Sequence, residues 1–330
     1  MKKFTIVLSA VCLILFSVNN AKADIKKLAQ TGLQFLRVDV GARPAAMGGS
    51  YTMVGNDASS QFYNPAGIAN RGHSDFEFFV NRTQWIADIS YNAAALVKSL
   101  NNWGVIGVNA IFCDYGNDII GTQVASTEKG FVETGNVDLG AYAIGLTYAR
   151  RLTDKFIIGG NVKYALEHLG ESMLEQNGAT LQNKVSGLAY DFGTIFYPGF
   201  KSFRLGMSIR NFSSQFKYQE EAFQLPLTFK IGFAMDVMDF IGEHNNPLTL
   251  SIDAIHPRSY TERINVGAEY ILMNVLALRA GYRYNYDEEG FTGGLGFMHE
   301  IAGFNINIGY AYSDFGIFNS VNRISFSISH

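Results

Sequence analysis

The chain has 330 residues, with 26 Lys and Arg against 29 Asp and Glu and a formal net charge of −3. That balance leaves no basic footprint for nucleic acid. Hydrophobic residues make up 48%, aromatics 14% and charged residues only 17%, below the ~25% usual for a soluble domain, which speaks against an ordinary soluble enzyme.

In chain order, Lys2 and Lys3 precede an almost unbroken apolar run from Phe4 to Val18, and Ala21-Lys22-Ala23 supplies an A-x-A cleavage signal. This pattern predicts a secretory signal peptide over residues 1–23. Cys12 lies inside that apolar run, so after cleavage only Cys113 remains and no disulfide forms within the chain. Without Lys2, Lys3 and Lys22, 23 basic residues face 29 acidic ones. Beyond the leader no apolar run reaches the roughly 18 residues of a membrane helix.

Residues 41–69, GARPAAMGGSYTMVGNDASSQFYNPAGIA, are too rich in Gly, Ala and Pro for a strand and too broken for one helix. Asn56 or Asp57 can cap a short helix over Ala58 to Tyr63, and Asn64-Pro65 would stop it. From residue 74 onward the pattern changes to alternation. In VLALRAGYRYNY, Leu276, Leu278, Ala280, Tyr282, Tyr284 and Tyr286 alternate with Ala277, Arg279, Gly281, Arg283 and Asn285. The same period of two runs through PLTFKIGFAMD, KSFRLGMSIRNF, ERINVGAEYIL, GFNINIGYAYS and VNRISFSIS, which puts one face in lipid and the other in a lumen. A soluble β-sandwich also alternates. Here, however, the apolar faces are nearly uniform with Tyr at strand ends, and the opposite faces mix small residues with scattered ions, as in a transmembrane barrel.

The predicted fold is all-β: a transmembrane antiparallel barrel of about 14 strands with an N-terminal hatch segment (residues 24–73) inside the lumen of a barrel over residues 74–330. Predicted strand starts lie near Asp75, Ile89, Trp103, Val137, Lys155, Lys184, Lys201, Leu227, Leu248, Arg263, Val275, Phe291, Phe304 and Val321. If the first strand runs outward, the turns KSLNN, RRLTDK and PGFKS face the periplasm. The longer connections, about Cys113–Asn136, about His168–Asn183 and SSQFKYQEEAFQ, then face outside. VMDFIGEHNN is a longer periplasmic turn with the spacing of a short helical turn.

A barrel of ~14 strands encloses more space than its inward side chains fill, and the glycine-punctuated block is placed to fold back into it. Arg43 can pair with a lumen carboxylate such as Asp191, Asp253 or Glu269; the alternative is that the block is only a tether. Arg204, Arg210, Lys230, Arg263, Arg279, Arg283 and Arg323 fall on the inward faces, with Asp191, Asp236, Asp253 and Glu269. They either pair with one another and the hatch or line a path for anionic or amphipathic ligands.

The block also resembles the N-terminal signature of the PorV/PorQ family, a branch of the FadL-like outer-membrane barrels. The matching residues are Gly41-Ala42-Arg43 with Pro44, Met47-Gly48-Gly49, Asn56-Asp57-Ala58-Ser59 and Asn64-Pro65-Ala66-Gly67. The resemblance implies a 14-stranded barrel with a hatch in its lumen. It also implies an accessory role in type IX protein secretion, with translocon subunits or secreted cargo as partners and outer-membrane lipid around the wall. The FadL branch implies an alternative, a channel for fatty acids or other hydrophobic small molecules, in which Gly159-Gly160 or Gly293-Gly294 would kink a strand and open the wall. Phe131, Phe216, Tyr218 and Phe223 are the loop aromatics that a protein-binding role would expose. One departure is the C-terminal ISFSISH, where Phe326 and Ile328 keep the alternation without a terminal aromatic.

No catalytic motif is present: there is no G-x-S-x-G elbow and no H-E-x-x-H helix. His73, His168, His244, His256, His299 and His330 form no ligand spacing. Asp114, Asn117 and Asp118 do not match a calcium loop, and Glu220-Glu221 reads as a loop pair. The expectation is a non-enzymatic protein of the bacterial outer membrane without metal or cofactor.

Overall fold

A computed structural model describes residues 31–330 except 72–73, 117–118, 174–179, 219–220 and 243–245. The predicted leader (1–23), together with His73, Asn117, Asp118, Glu220 and His244, lies outside the described residues.

The alternating segments form strands. The first half of the chain gives β1 (Phe76–Gln84), β2 (Ser90–Ser99), β3 (Val105–Asp114), β4 (Ile120–Val124), β5 (Phe131–Asn136), β6 (Leu139–Thr153), β7 (Phe156–Met173), β8 (Thr180–Phe196) and β9 (Arg204–Phe212). Then follow β10 (Phe216–Lys217), β11 (Ala222–Phe223), β12 (Thr228–Asp236), β13 (Leu248–Pro257), β14 (Arg263–Leu272), β15 (Leu276–Tyr284), β16 (Phe291–Ile301), β17 (Phe304–Asp314) and β18 (Ser320–Ser329). Apart from the hairpins β4–β5 and β10–β11, these strands form one closed antiparallel barrel of 14 strands. The seam is closed by β1 against β18, with Glu77 opposite Ser329. A closed barrel leaves no strand edge unpaired, which any lipid-facing sheet requires.

Predicted strand starts fall within three residues of the observed ones, except that Lys184 lies inside β8, which begins at Thr180. The two faces are as different as the alternation requires. Leu96, Val108, Leu146, Leu188 and Phe192 are exposed on the outer surface, whereas Asn81, Asn109, Asn161, Asp191, Arg279 and Arg323 are buried on the inner one. Among the described residues no helix is long and apolar enough to cross a membrane.

Four expectations need correction. The fifth connection is shorter than expected because β7 and β8 extend through most of it. Tyr286 is not on the outer face: the strand ends at Tyr284, Asn285 adopts a left-handed φ of 64°, and the Tyr286 ring turns in beside Arg263, 4.0 Å from its guanidinium. Gly159-Gly160 and Gly293-Gly294 are not strand breaks, since the ladders run through both pairs. Phe216, Tyr218 and Phe223 are not displayed to solvent. Phe216 is buried, Tyr218 stacks on Phe223 at 5.2 Å, and the Tyr218 hydroxyl donates to Glu167 Oε2 over 2.6 Å. Phe131 alone of the four is exposed. The predicted turn in VMDFIGEHNN is a 3₁₀ turn, Val237–Phe240, capped by Asp236.

Candidate functional site

The described residues preceding β1 form short pieces rather than one long helix or a strand: a 3₁₀ turn at Gln34–Arg37, α1 (Ala42–Ala46), and 3₁₀ turns at Ala58–Phe62 and Pro65–Asn70, of which the last two are capped by side chains. Gly41 enters α1 at φ 95°, and Gly48 and Gly49 leave it at 67° and 76°, conformations that cost glycine little. Pro44 and Met47 are buried, and the Pro44 carbonyl accepts from the N–H groups of both Met47 and Gly49. Asp57 caps the second turn by accepting from Ser59 N at 3.0 Å, and Ser60 Oγ accepts from Asp57 N at 3.2 Å, completing a capping box. Asn64 caps the third, accepting from Ala66 N at 3.1 Å, with Pro65 in the first position.

These pieces lie against the inward face of the wall at small residues. Ala42, Ala45 and Ala46 cluster with Ala311 of β17. A Cβ on Gly159 would come within 2.5 Å of Ala66 N, and one on Gly294 within 2.6 Å of the Ala46 Cβ. Of the glycines read as hinges, a Cβ on Gly160 or Gly293 would make only ordinary contacts at 3.7 Å, whereas Gly159 and Gly294 are points of close approach. Gly67 plays the same part inside the segment, where a Cβ would meet Ser60 Cβ at 2.6 Å.

Wall side chains satisfy the backbone of the segment, as buried peptide groups require. Ser251 Oγ donates to Ser50 O (2.9 Å), Thr292 Oγ1 to Ala46 O (2.9 Å), Arg204 Nε to Met53 O (2.6 Å) and Arg323 Nε to Asp39 O (3.2 Å). Asp253 Oδ2 accepts from the N–H groups of Tyr51 and Thr52 at 3.2 and 3.1 Å and from Thr52 Oγ1 at 2.5 Å. The Lys230 ammonium faces Gly49 O at 3.5 Å.

Of the three carboxylates open to Arg43 in the sequence, the structure selects Glu269. Arg43 donates to it bidentately, Nε to Oε2 at 2.8 Å and Nη2 to Oε1 at 2.7 Å, and Arg279 Nε reaches the same carboxylate at 2.6 Å. Arg43 Nη1 also bonds Asp57 Oδ2 at 3.0 Å. Burial disfavours the Arg43 cation, yet Glu269, Tyr51 and Asp57 outweigh it and raise its pKa well above the ordinary arginine value. Asp191 is held elsewhere, by Lys163 Nζ at 2.8 Å and by the Asn211 N–H at 2.7 Å, at a bulge where Asn211 takes φ 61°. The sequence reading missed Lys163, although it alternates with exposed Val162 and Tyr164 on β7. It also missed Asp39, which has no periodic signal because it sits in a loop. Asp39 and Glu289 both pair with Arg283. Burial opposes the Asp39 anion, but Arg283, Lys230, Arg323 and Arg210 outweigh it and hold its pKa below the ordinary carboxylate value.

Two cavities flank the segment. One, of about 460 Å³, opens at the end with the long connections and is lined by Asp39, Arg210, Lys230, Arg263, Arg283 and Arg323 among others. The other, about 590 Å³, opens at the opposite end beside Arg43, Asp57, Arg71, Glu77, Glu269 and Arg279. Among the described residues no group of three or more His, Cys, Asp or Glu side chains is arranged to hold a metal ion.

The sequence profile of one family, described as Type IX secretion system protein PorV, matches residues 20–257. The chain belongs to the PorV family. Its match extends well past the block at residues 41–69 that carries the resemblance. No curated protein matches this PorV-family chain. Among solved structures it is similar to the Ralstonia pickettii toluene transporter TbuX, at 13% identity and TM-score 0.57 over 88% of this chain and 97% of that one. It is also similar to the Pseudomonas putida toluene transporter TodX, at 14% and 0.55 over 88% and 96%. A Pseudomonas aeruginosa FadL homologue aligns at 11% and 0.50 over 87% and 96%. At such identities the likeness is one of fold: a FadL-like outer-membrane β-barrel.

Proposed function

We propose that this PorV-family barrel is a non-enzymatic accessory of type IX protein secretion, exported by its leader and binding translocon subunits or secreted cargo. The observation that carries the reading is the PorV match over residues 20–257. In it, residues 24–73 are a hatch that keeps the lumen closed, and the end with the long connections faces outside. The complementary charges and close backbone approaches around Arg43, Asp57 and Asn64 support a fixed hatch over a loose tether. At the outer rim the β4–β5 hairpin offers a contact surface, with Ile120, Val124 and Phe131 exposed.

Passage of hydrophobic small molecules is the rival reading, for which the shared fold with the toluene transporters is the support. It calls for an apolar pocket between segment and wall. Both cavities instead carry ions on their walls, which favours the secretion role. The deciding experiment is purification of tagged protein from native membranes in mild detergent with mass spectrometry of what accompanies it. Translocon subunits, or secreted proteins sharing a C-terminal domain, support the first reading; a lone barrel carrying a hydrophobic ligand overturns it.

A further inference from the structure

The cavity at the long-connection end is lined by six cations and four carboxylates. Among the described residues Arg37, Arg210 and Arg263 have no carboxylate within ion-pair distance, the nearest acidic side chains being held by Arg283. Arg37 and Arg263 both lie over the Tyr260 ring, 4.2 and 4.3 Å from its centroid, and Arg263 also lies 4.0 Å from the Tyr286 ring. The guanidinium of Arg263 is thus held by two aromatic rings. Among the described residues it has no carboxylate within ion-pair distance and no acceptor for any of its N–H groups, although the side chain is more than nine-tenths buried. Its Nε is closed off by its surroundings, whereas the two terminal nitrogens are not, and the residue lines the cavity. Arg210 is buried to the same degree; its Nη2 donates to Leu36 O at 3.2 Å while its Nε has no acceptor.

The acidic groups of the same wall are largely engaged elsewhere. Asp39 and Glu289 are taken by Arg283, and Glu288 accepts from the Ile317 N–H at 3.2 Å; Asp287 is exposed. A buried cation without a counter-charge is costly. A planar guanidinium fixed by stacking is suited to bidentate contact with an oxyanion. We propose that this cavity binds a small oxyanion, phosphate or a phosphate monoester, with Arg263 as its principal contact and Arg37 and Arg210 as flanking cations. Its volume falls in the range of small-ligand sites, roughly 300–1,000 Å³. The proposal does not depend on the secretion role.

The molecule carries its own reporter. It has two tryptophans: Trp85 lines this cavity, 5.8 Å from the Arg323 guanidinium, and Trp103 is exposed in a turn at the other rim. Trp103→Phe therefore leaves Trp85 as the single tryptophan, excited selectively over the tyrosines at the red edge of the band. The full-length barrel in detergent is titrated with inorganic phosphate and with butyl phosphate at constant ionic strength. A saturable change in Trp85 emission is expected, with a midpoint about tenfold higher in Arg263→Gln, as loss of one charge-assisted hydrogen bond predicts. A tighter midpoint for butyl phosphate points to the head group of an amphiphile, and equal midpoints to a free anion. No saturable change with either probe overturns the proposal, as does an unchanged midpoint in Arg263→Gln. Should that variant fail to fold, Arg37→Gln, altered at a partly exposed position, decides in the same way.

Discussion

Around α1, Glu269 sits between Arg43 and Arg279, and every one of these charges has a partner within 2.8 Å. Around the cavity at the long-connection end, Arg263 lies against two tyrosine rings and, among the described residues, has no carboxylate within ion-pair distance. Both regions use buried arginines on the same inward face, but one is a closed circuit of charge and the other is left open. Buried ions thus serve as mortar where a partner carboxylate lies on the facing segment, and as unspent binding capacity where none does.

The largest effect should come from damage to the mortared region. Gly281→Val pushes a side chain into the backbone of Met47 and Gly48, where the wall glycine has no room. Backbone cannot yield as a side-chain tip can, so the segment is displaced and the heat-modifiable folded band on gels should be lost. Glu269→Ala comes next: it leaves Arg43 and Arg279 buried and uncompensated, a cost of about 3–5 kcal/mol, measurable by urea unfolding in lipid vesicles. Arg43→Met combined with Glu269→Leu should recover part of that loss, since removing both partners costs less than removing one. Asp57→Ala removes a cap and one Arg43 contact and should cost about 1–2 kcal/mol, seen as faster proteolysis of residues 31–71. The smallest effect belongs to the open region. Arg263→Met deletes a charge with no carboxylate partner and keeps an apolar side chain against the two rings, and its stability should stay within about 1 kcal/mol of the parent in the same unfolding assay. A loss as large as that of Glu269→Ala would erase the distinction between the two regions.

Much of this was legible in the chain, for a physical reason. Alternation is a local signal, and a one-residue slip would exchange the lipid and lumen faces, so strand positions and the inward set from Asp191 to Arg323 are strongly encoded. Capping is local too, which is why a cap at Asn56 or Asp57 could be expected; Asn64-Pro65 was legible only as a stop, whereas Asn64 also caps the next turn. What escaped depends on long-range contact. The choice of Glu269 for Arg43 is made by how α1 lies on the wall. The burial of Phe216 and the partial covering of Phe223 follow from small residues far away in sequence, Gly187 and Gly32, against which their rings rest. Tyr286 left the outer face because Asn285 ends the strand, and nothing in the period announces that turn.

The path of the N-terminal segment has a kinetic consequence. Thr31 bridges to Gln224 and its hydroxyl meets Ser259 at one rim, whereas Arg71 pairs with Glu77 at 3.2 Å at the other, beside the β1–β18 seam. A strip that runs the height of the wall cannot swing out as a lid hinged at one rim; it leaves only by sliding lengthwise or by parting the staves. Its contacts also span the chain from residue 31 to residue 325, and such distant pairings form late and slowly. Seating the strip thus draws on strands from both halves of the chain, and a chain lacking β18 would lose the seam together with the Arg323 and Ser325 contacts to the strip.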